Sequence, residues 1–129
     1  MEKNILKIIA VVFALIIIII FLSTCFASTV KYYEDINYDP EKPPSGIGEI
    51  AELDGNKRYY KIVSYGGRVL SLSFHDYDGV LRPIQFEEKN ASSIEYEYNE
   101  NGNLIKITKY NPDSKIVKTI KFKPVKKNK

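Results

Sequence analysis

From residue 47 to residue 123, apolar and polar positions alternate with period two in short segments, and turn-forming pairs separate those segments. Ile94, Tyr96 and Tyr98 fall on one side of such a segment, and Glu95 and Glu97 on the other. Leu70, Leu72 and Phe74 likewise oppose Val69, Ser71 and Ser73. This alternation predicts strands with one buried and one wet face. The turn pairs are Asp54-Gly55, Gly66-Gly67, Asp78-Gly79, Asn90-Ala91, Asn101-Gly102 and Asp113-Ser114, in steps of 12, 12, 12, 11 and 12 residues. In a second register, Ile50, Ile62, Phe74, Phe86, Tyr98, Tyr110 and Phe122 stand 12 apart, and all are apolar or aromatic. Two registers with one period mark a repeat, in which each unit holds one strand and its turn. Gly, Asn and Asp suit two-residue hairpins because both central positions need positive φ.

The predicted fold is therefore all-β: an antiparallel meander of about seven strands over residues 47–123. Phe86 and Tyr98 are expected in its core, and Pro83, which lacks an N–H, at a bulge or an unpaired position. No helical stripe follows Ala27. With nothing to cover the apolar face, the sheet is expected to curl into a barrel or half-barrel, or to pack on a partner. Residues 28–46 include Pro40, Pro43, Pro44, Ser45 and Gly46 and are expected as a polar linker, and residues 124–129 as a basic, frayed tail.

Residues 1–27 differ in kind. A short basic start with Lys3 and Lys7 precedes an unbroken apolar run over residues 8–22, which ends in Ser23, Thr24, Cys25, Phe26, Ala27 and Ser28. These are the parts of a secretory signal peptide, and they predict an apolar export helix. Three fates are compatible with it. Cleavage after Ala27 gives a secreted product, and an uncleaved segment gives a membrane anchor. Modification at Cys25 gives a lipoprotein, since Leu22-Ser23-Thr24-Cys25 resembles a bacterial lipobox, with Thr24 in place of its usual small residue. All three place the folded part outside the cytoplasm, secreted or attached to the outer side of the cytoplasmic membrane. The remainder has no cysteine, so disulfides do not stabilise it.

The best internal match aligns Tyr98-Asn99-Glu100-Asn101-Gly102-Asn103-Leu104 with Tyr110-Asn111-Pro112-Asp113-Ser114-Lys115-Ile116. This Tyr-x3-Gly-x-Leu arrangement resembles the YD repeat of Rhs-type bacterial surface and toxin-shell proteins, over at most residues 65–122. The resemblance implies a β-meander in an exported context and no catalytic activity.

Composition narrows the chemistry. The 129 residues include one His, one Cys and no Trp, too few for a His/Cys metal site or a Cys–His pair. His75 could meet Ser73 and Asp76 or Asp78 only as strand and turn neighbours, and the chain has no Gly-x-Ser-x-Gly elbow. Asp76-x-Asp78-Gly79 and Asn99-x-Asn101-Gly102-Asn103 carry cation-type oxygens without full calcium-loop spacing. Glu95 and Glu97 lie on the wet face. No catalytic residue, cofactor or metal is therefore expected, and the chain reads as a non-enzyme.

Charge is strongly polarised beneath a net +3. Residues 28–56 hold two Lys against seven Asp and Glu, whereas residues 106–129 hold nine Lys against Asp113 alone. Lys106, Lys109, Lys118, Lys121 and Lys123 are candidates for a strip that binds an anionic surface, or else solubility devices on late strands. The overall balance does not suggest nucleic acid. The expected function is a binding or structural module at the bacterial cell envelope, with an unidentified protein or envelope polymer as partner. The alternative is a small barrel that carries a lipid-like ligand, which would need a cavity lined by the twelve-period aromatics.

Overall fold

A computed structural model describes residues 2–26 and 28–123, with side chains of residues 20–26 outside the description. Helix α1 (Glu2–Phe26) is followed by strands β1 (Ser28–Asp39), β2 (Lys42–Ile50), β3 (Tyr59–Tyr65), β4 (Arg68–His75), β5 (Ser93–Tyr98), β6 (Leu104–Tyr110) and β7 (Ile116–Lys121). The strands form one antiparallel sheet in the order β2-β1-β3-β4-β5-β6-β7. It is a meander whose first hairpin is turned, so that β1 lies inside and β2 at the edge. The sheet is not closed: β2 and β7 are its two edges.

Two expected boundaries are corrected. Residues 28–46 are not a linker but β1 and the first half of β2. Tyr32, Tyr33, Ile36 and Tyr38 favour a pleated, half-buried surface. Pro43 and Pro44 are tolerated because β2 is an edge strand, where a missing N–H need not break the ladder. The unit around Phe86 is the second correction, since it forms no strand. After an isolated bridge between His75 and Leu81, the chain runs as an irregular connection to β5. The twelve-residue period thus continues through this segment without its strand, and Pro83 lies in this connection.

The core row is legible in the register. Ile62 pairs with Leu72, Leu72 with Ile94, and Ile94 with Lys109. A second row joins Tyr96, Ile107 and Ile120. Leu72, Ile84, Ile94, Tyr96 and Ile107 are buried, with Phe74, Tyr98, Leu104 and Phe122 packed against them. The opposite face is polar, carrying Ser73, Ser93, Glu95, Thr108, Thr119, Glu97, Lys106 and Lys121. A bulge that skips Leu70 shifts the parity of β4, so Val69 joins the core while Leu70 is exposed. This is why the strict alternation expected for that segment fails at its first turn.

The connection between β4 and β5 covers part of the apolar face. Ile84 and Ala91 are fully buried there, and the Ile84 N–H donates to the Ala91 carbonyl at 2.8 Å. Four strand steps separate β1 from β6, about 19 Å in a flat sheet. Yet the Lys109 ammonium lies 3.4 Å from the Tyr38 hydroxyl, so the sheet bends across its core face.

Helix α1 leaves its apolar side chains from Ile5 to Ile19 exposed. Among the described residues, no helix is long and apolar enough to cross a membrane. Cys25's side chain, Ala27 and the basic tail over residues 124–129 lie outside the described residues.

Candidate binding surfaces

The register separates the five lysines of the expected strip. Lys106 pairs across the hairpin with Lys121 on the polar face, while Lys109 pairs with Lys118 on the core face. Lys106 makes an ion pair with Glu97 at 3.6 Å, and Lys118, Lys121 and Lys123 are exposed. Lys109 is 1% exposed and cannot belong to a surface strip. Its place in the row Ile62, Leu72, Ile94 forces it inward.

What Lys109 does instead is structural. Its ammonium meets Glu87 Oε1 at 2.5 Å, and the Glu87 side chain is itself 7% exposed. Tyr38 adds its hydroxyl to the same ammonium, and its ring stacks on Phe86 at 6.1 Å. Burial, with Glu87 nearby, pushes the Tyr96 phenol well above its usual range. Phe86, expected in the core, is 61% exposed and lies over Tyr38 as a lid. A shallow hollow of about 240 Å³ opens beside the pair, lined by Pro40, Phe86, Lys89 and Lys118.

The turns at Asp76, Asn99 and Asn111 share one geometry. In each, the fourth residue (Gly79, Gly102, Ser114) donates to the carbonyl of the first, and the N–H of the first donates to the carbonyl of the fifth. That fourth residue alone has positive φ, at 83°, 83° and 63°. These are three-residue loops with a left-handed closing position. Only Gly66-Gly67 has the doubly positive φ expected of all of them. The Asn99 and Asn111 side-chain oxygens each accept two backbone N–H groups, so those oxygens are committed to the turn. Asp76 is held by Arg58 at 3.4 Å and Arg82 at 3.1 Å. The Tyr77 N–H, then these arginines, hold its carboxyl below the usual range against opposing burial. The oxygens weighed for calcium therefore belong to turn structure. Among the described residues, no group of three or more His, Cys, Asp or Glu is placed to hold a metal.

His75 sits partly exposed on the outer face, stacked on Tyr59 at 5.0 Å. Its Nδ1 lies 3.0 Å from the Gly79 carbonyl, which can only accept, so Nδ1 carries the proton. Nε2 is hydrogen-bonded to the Ser73 hydroxyl at 2.7 Å. A backbone carbonyl, rather than an aspartate, orients the ring, and the contact ties the turn to its strand.

Beside this stack lies a recess of about 400 Å³. Glu34, Glu49, Glu52, Asp54 and Asp78 surround it, with Tyr59 and Tyr77 as aromatic walls and Ile50 and Leu53 as apolar ones. Lys57, on its rim, pairs with Glu34 at 3.1 Å. Tyr59 is braced edge-on by Tyr32 at 5.4 Å. Burial, Tyr32 and Asp78 raise its phenol pKa, so it stays neutral. The Arg58 guanidinium lies 5.7 Å from the Tyr77 ring centroid, so that ring already attracts a cation. Sequence reasoning missed this recess, because its residues come from three separate stretches of chain, residue 34, residues 49–59 and residues 77–79.

Comparison with family models, curated proteins and solved structures found no match for this chain.

Proposed function

We propose that the chain is an exported, non-enzymatic β-repeat module that binds a cationic partner at the bacterial cell envelope. The observation that carries the binding reading is where space lies in the molecule. Leu72, Ile94 and Ile107 are at 0%, 1% and 0% exposure, so the apolar face is filled. Of two hollows, one of about 480 Å³ opens at the sheet's rim by Leu70, Tyr96, Tyr98 and Ile105, and the other, of about 400 Å³, lies among Glu34, Glu52, Tyr59, Tyr77 and Asp78 and alone is ringed by carboxylates. A carrier of a lipid-like molecule needs the reverse arrangement, an apolar interior with room in it. The open sheet is read as a half-barrel whose bend is held by the Tyr38–Lys109 contact. Export is supported by the basic start and apolar run of residues 1–22, and the likeness of residues 98–118 to YD repeats suits an envelope setting.

Carboxylates around aromatic walls suit a lysine or arginine side chain, or a substituted ammonium group. A titration with an oligolysine or arginine-rich peptide at low ionic strength tests this. Glu52→Gln and Asp78→Asn should each weaken binding by up to about fivefold, as exposed ion pairs are worth about 0.2–1 kcal/mol. Added salt should weaken it further. Absence of binding by the unaltered chain at low salt would remove the cationic partner from the account.

A further inference from the structure

One end of the sheet gathers the tips of the β3–β4 and β5–β6 hairpins, the start of β1 and the end of β7. Ser28 pairs there with Tyr65, Tyr65 with Arg68, Tyr98 with Leu104, and Lys106 with Lys121. Helix α1 stops at Phe26, so a single residue separates it from this end. Tyr65 and Leu70 are exposed here, at 44% and 37%, beside the hollow that Arg68, Tyr96 and Tyr98 also line. The Arg68 guanidinium lies 5.8 Å from the Tyr98 ring centroid and against Gly102, so it bridges the two hairpin tips. Among the described residues it makes no ion pair. Lys121 and Lys123 are exposed as well. The acidic residues at this end are Glu97, which pairs with Lys106 at 3.6 Å, and the exposed Glu100. Arg68, Lys121 and Lys123 therefore face Glu100 alone.

We propose that, in the chain that keeps α1, this end of the sheet rests on an anionic phospholipid surface. Position selects that occupant first. Helix α1 joins the sheet at this end with its apolar side chains exposed, and a bilayer covers such a surface. The chemistry of the end agrees with it. Tyrosine suits the headgroup layer, where its ring and hydroxyl meet apolar and polar surroundings together. A guanidinium without a carboxylate partner suits a phosphate, and Lys121 and Lys123 add charge that an anionic leaflet attracts. Past Lys123 the sequence continues with Lys126, Lys127 and Lys129. Lys109 and Lys118 take no part, because they pair farther along β6 and β7. The acidic recess is turned away from the lipid. Its wall Tyr59 begins β3 and Tyr65 ends it, about 20 Å apart along the strand. Docking at this end does not depend on what the recess binds.

Paramagnetic broadening of the full chain on lipid nanodiscs tests it, with a spin-labelled headgroup in the discs. Phosphatidylglycerol-rich discs are compared with pure phosphatidylcholine, at low and physiological salt. Gly66 lies next to the attachment of α1 and is broadened by tethering alone. Gly102 and Phe122 lie beyond β5, about 14 Å or more across the sheet from β1, and report docking. In the phosphatidylglycerol-rich discs the Gly102 and Phe122 amide signals should broaden, while Gly79 at the other end keeps its intensity. Their broadening should fade with salt and in phosphatidylcholine. Arg68→Gln with Lys121→Gln and Lys123→Gln should lower the docked population about tenfold or more. Retained chemical shifts elsewhere show that this variant is folded. Lys115→Gln, at the other end, should leave the docked population unchanged. The proposal is overturned if Gly102 and Phe122 stay sharp on the phosphatidylglycerol-rich discs. It is also overturned if their broadening is the same in phosphatidylcholine or in the folded triple variant, as a tether through α1 alone would give.

Discussion

Single residues decide the turns. Glycine was visible in the sequence at 55, 66, 79 and 102, and the left-handed positions are there. The Asx residue that opens each loop was less visible, since its role appears only when its side-chain oxygen meets N–H groups up to four positions on. Asp76 extends that role into a charge cluster, and this has a pH consequence. Its folded pKa is depressed, so its contribution is present above the ordinary aspartate pKa of about 3.9 and is lost as pH falls through the lower folded value. Acid titration of the melting temperature should therefore show a loss below about pH 4 that Asp76→Asn flattens. Equal acid sensitivity in the variant would place the responsible carboxylate elsewhere. Exposure likewise ranks the aromatics. Phe86→Ala should cost no more than about 1.5 kcal/mol, the worth of one ring stacking, whereas Leu72→Ala should cost about 2–5 kcal/mol. Chemical denaturation of both variants checks the order, and a larger loss at Phe86 would contradict its place on the surface.

At the scale of elements, the alternation of β3, β5 and most of β4 was readable because each has one face against the core. The strands β1 and β2 were hidden by their prolines, which mark an edge position as readily as a linker. The connection between β4 and β5 was hidden by the period itself, since Phe86 keeps the spacing but not the strand. Lys109 was legible as charge and not as core, because its burial depends on Glu87 from that connection. This pair latches the connection to the sheet. Removing one partner strands a buried charge, so Lys109→Met or Glu87→Leu alone should destabilise by about 3–5 kcal/mol. The double variant should recover most of that loss, because a well-packed apolar pair can replace a buried ion pair. A double-mutant cycle by urea denaturation measures this. Additive losses would mean that the two groups do not act as a latch.

For the whole molecule, the bent open sheet sets where a ligand can go. The face that a closed barrel would devote to a cavity is filled by its own side chains and by Ile84. The recess is left outside, at the end of β1 to β3, where acidic residues from separate stretches meet Tyr59 and Tyr77. Sequence alone gave the class of fold and the charge polarity but not this meeting point, which depends on β1 being a strand at all. The most direct measurement is chemical-shift mapping of residues 28–129 during two titrations, one with a lysine-rich peptide and one with a long-chain fatty acid. With the peptide, the backbone signals of Glu34, Glu52, Tyr59, Tyr77 and Asp78 should move, and the fatty acid should leave Leu72, Ile94 and Ile107 unmoved. Shifts concentrated at Leu72, Ile94 and Ile107 with the fatty acid, and none at the recess with the peptide, would contradict the account.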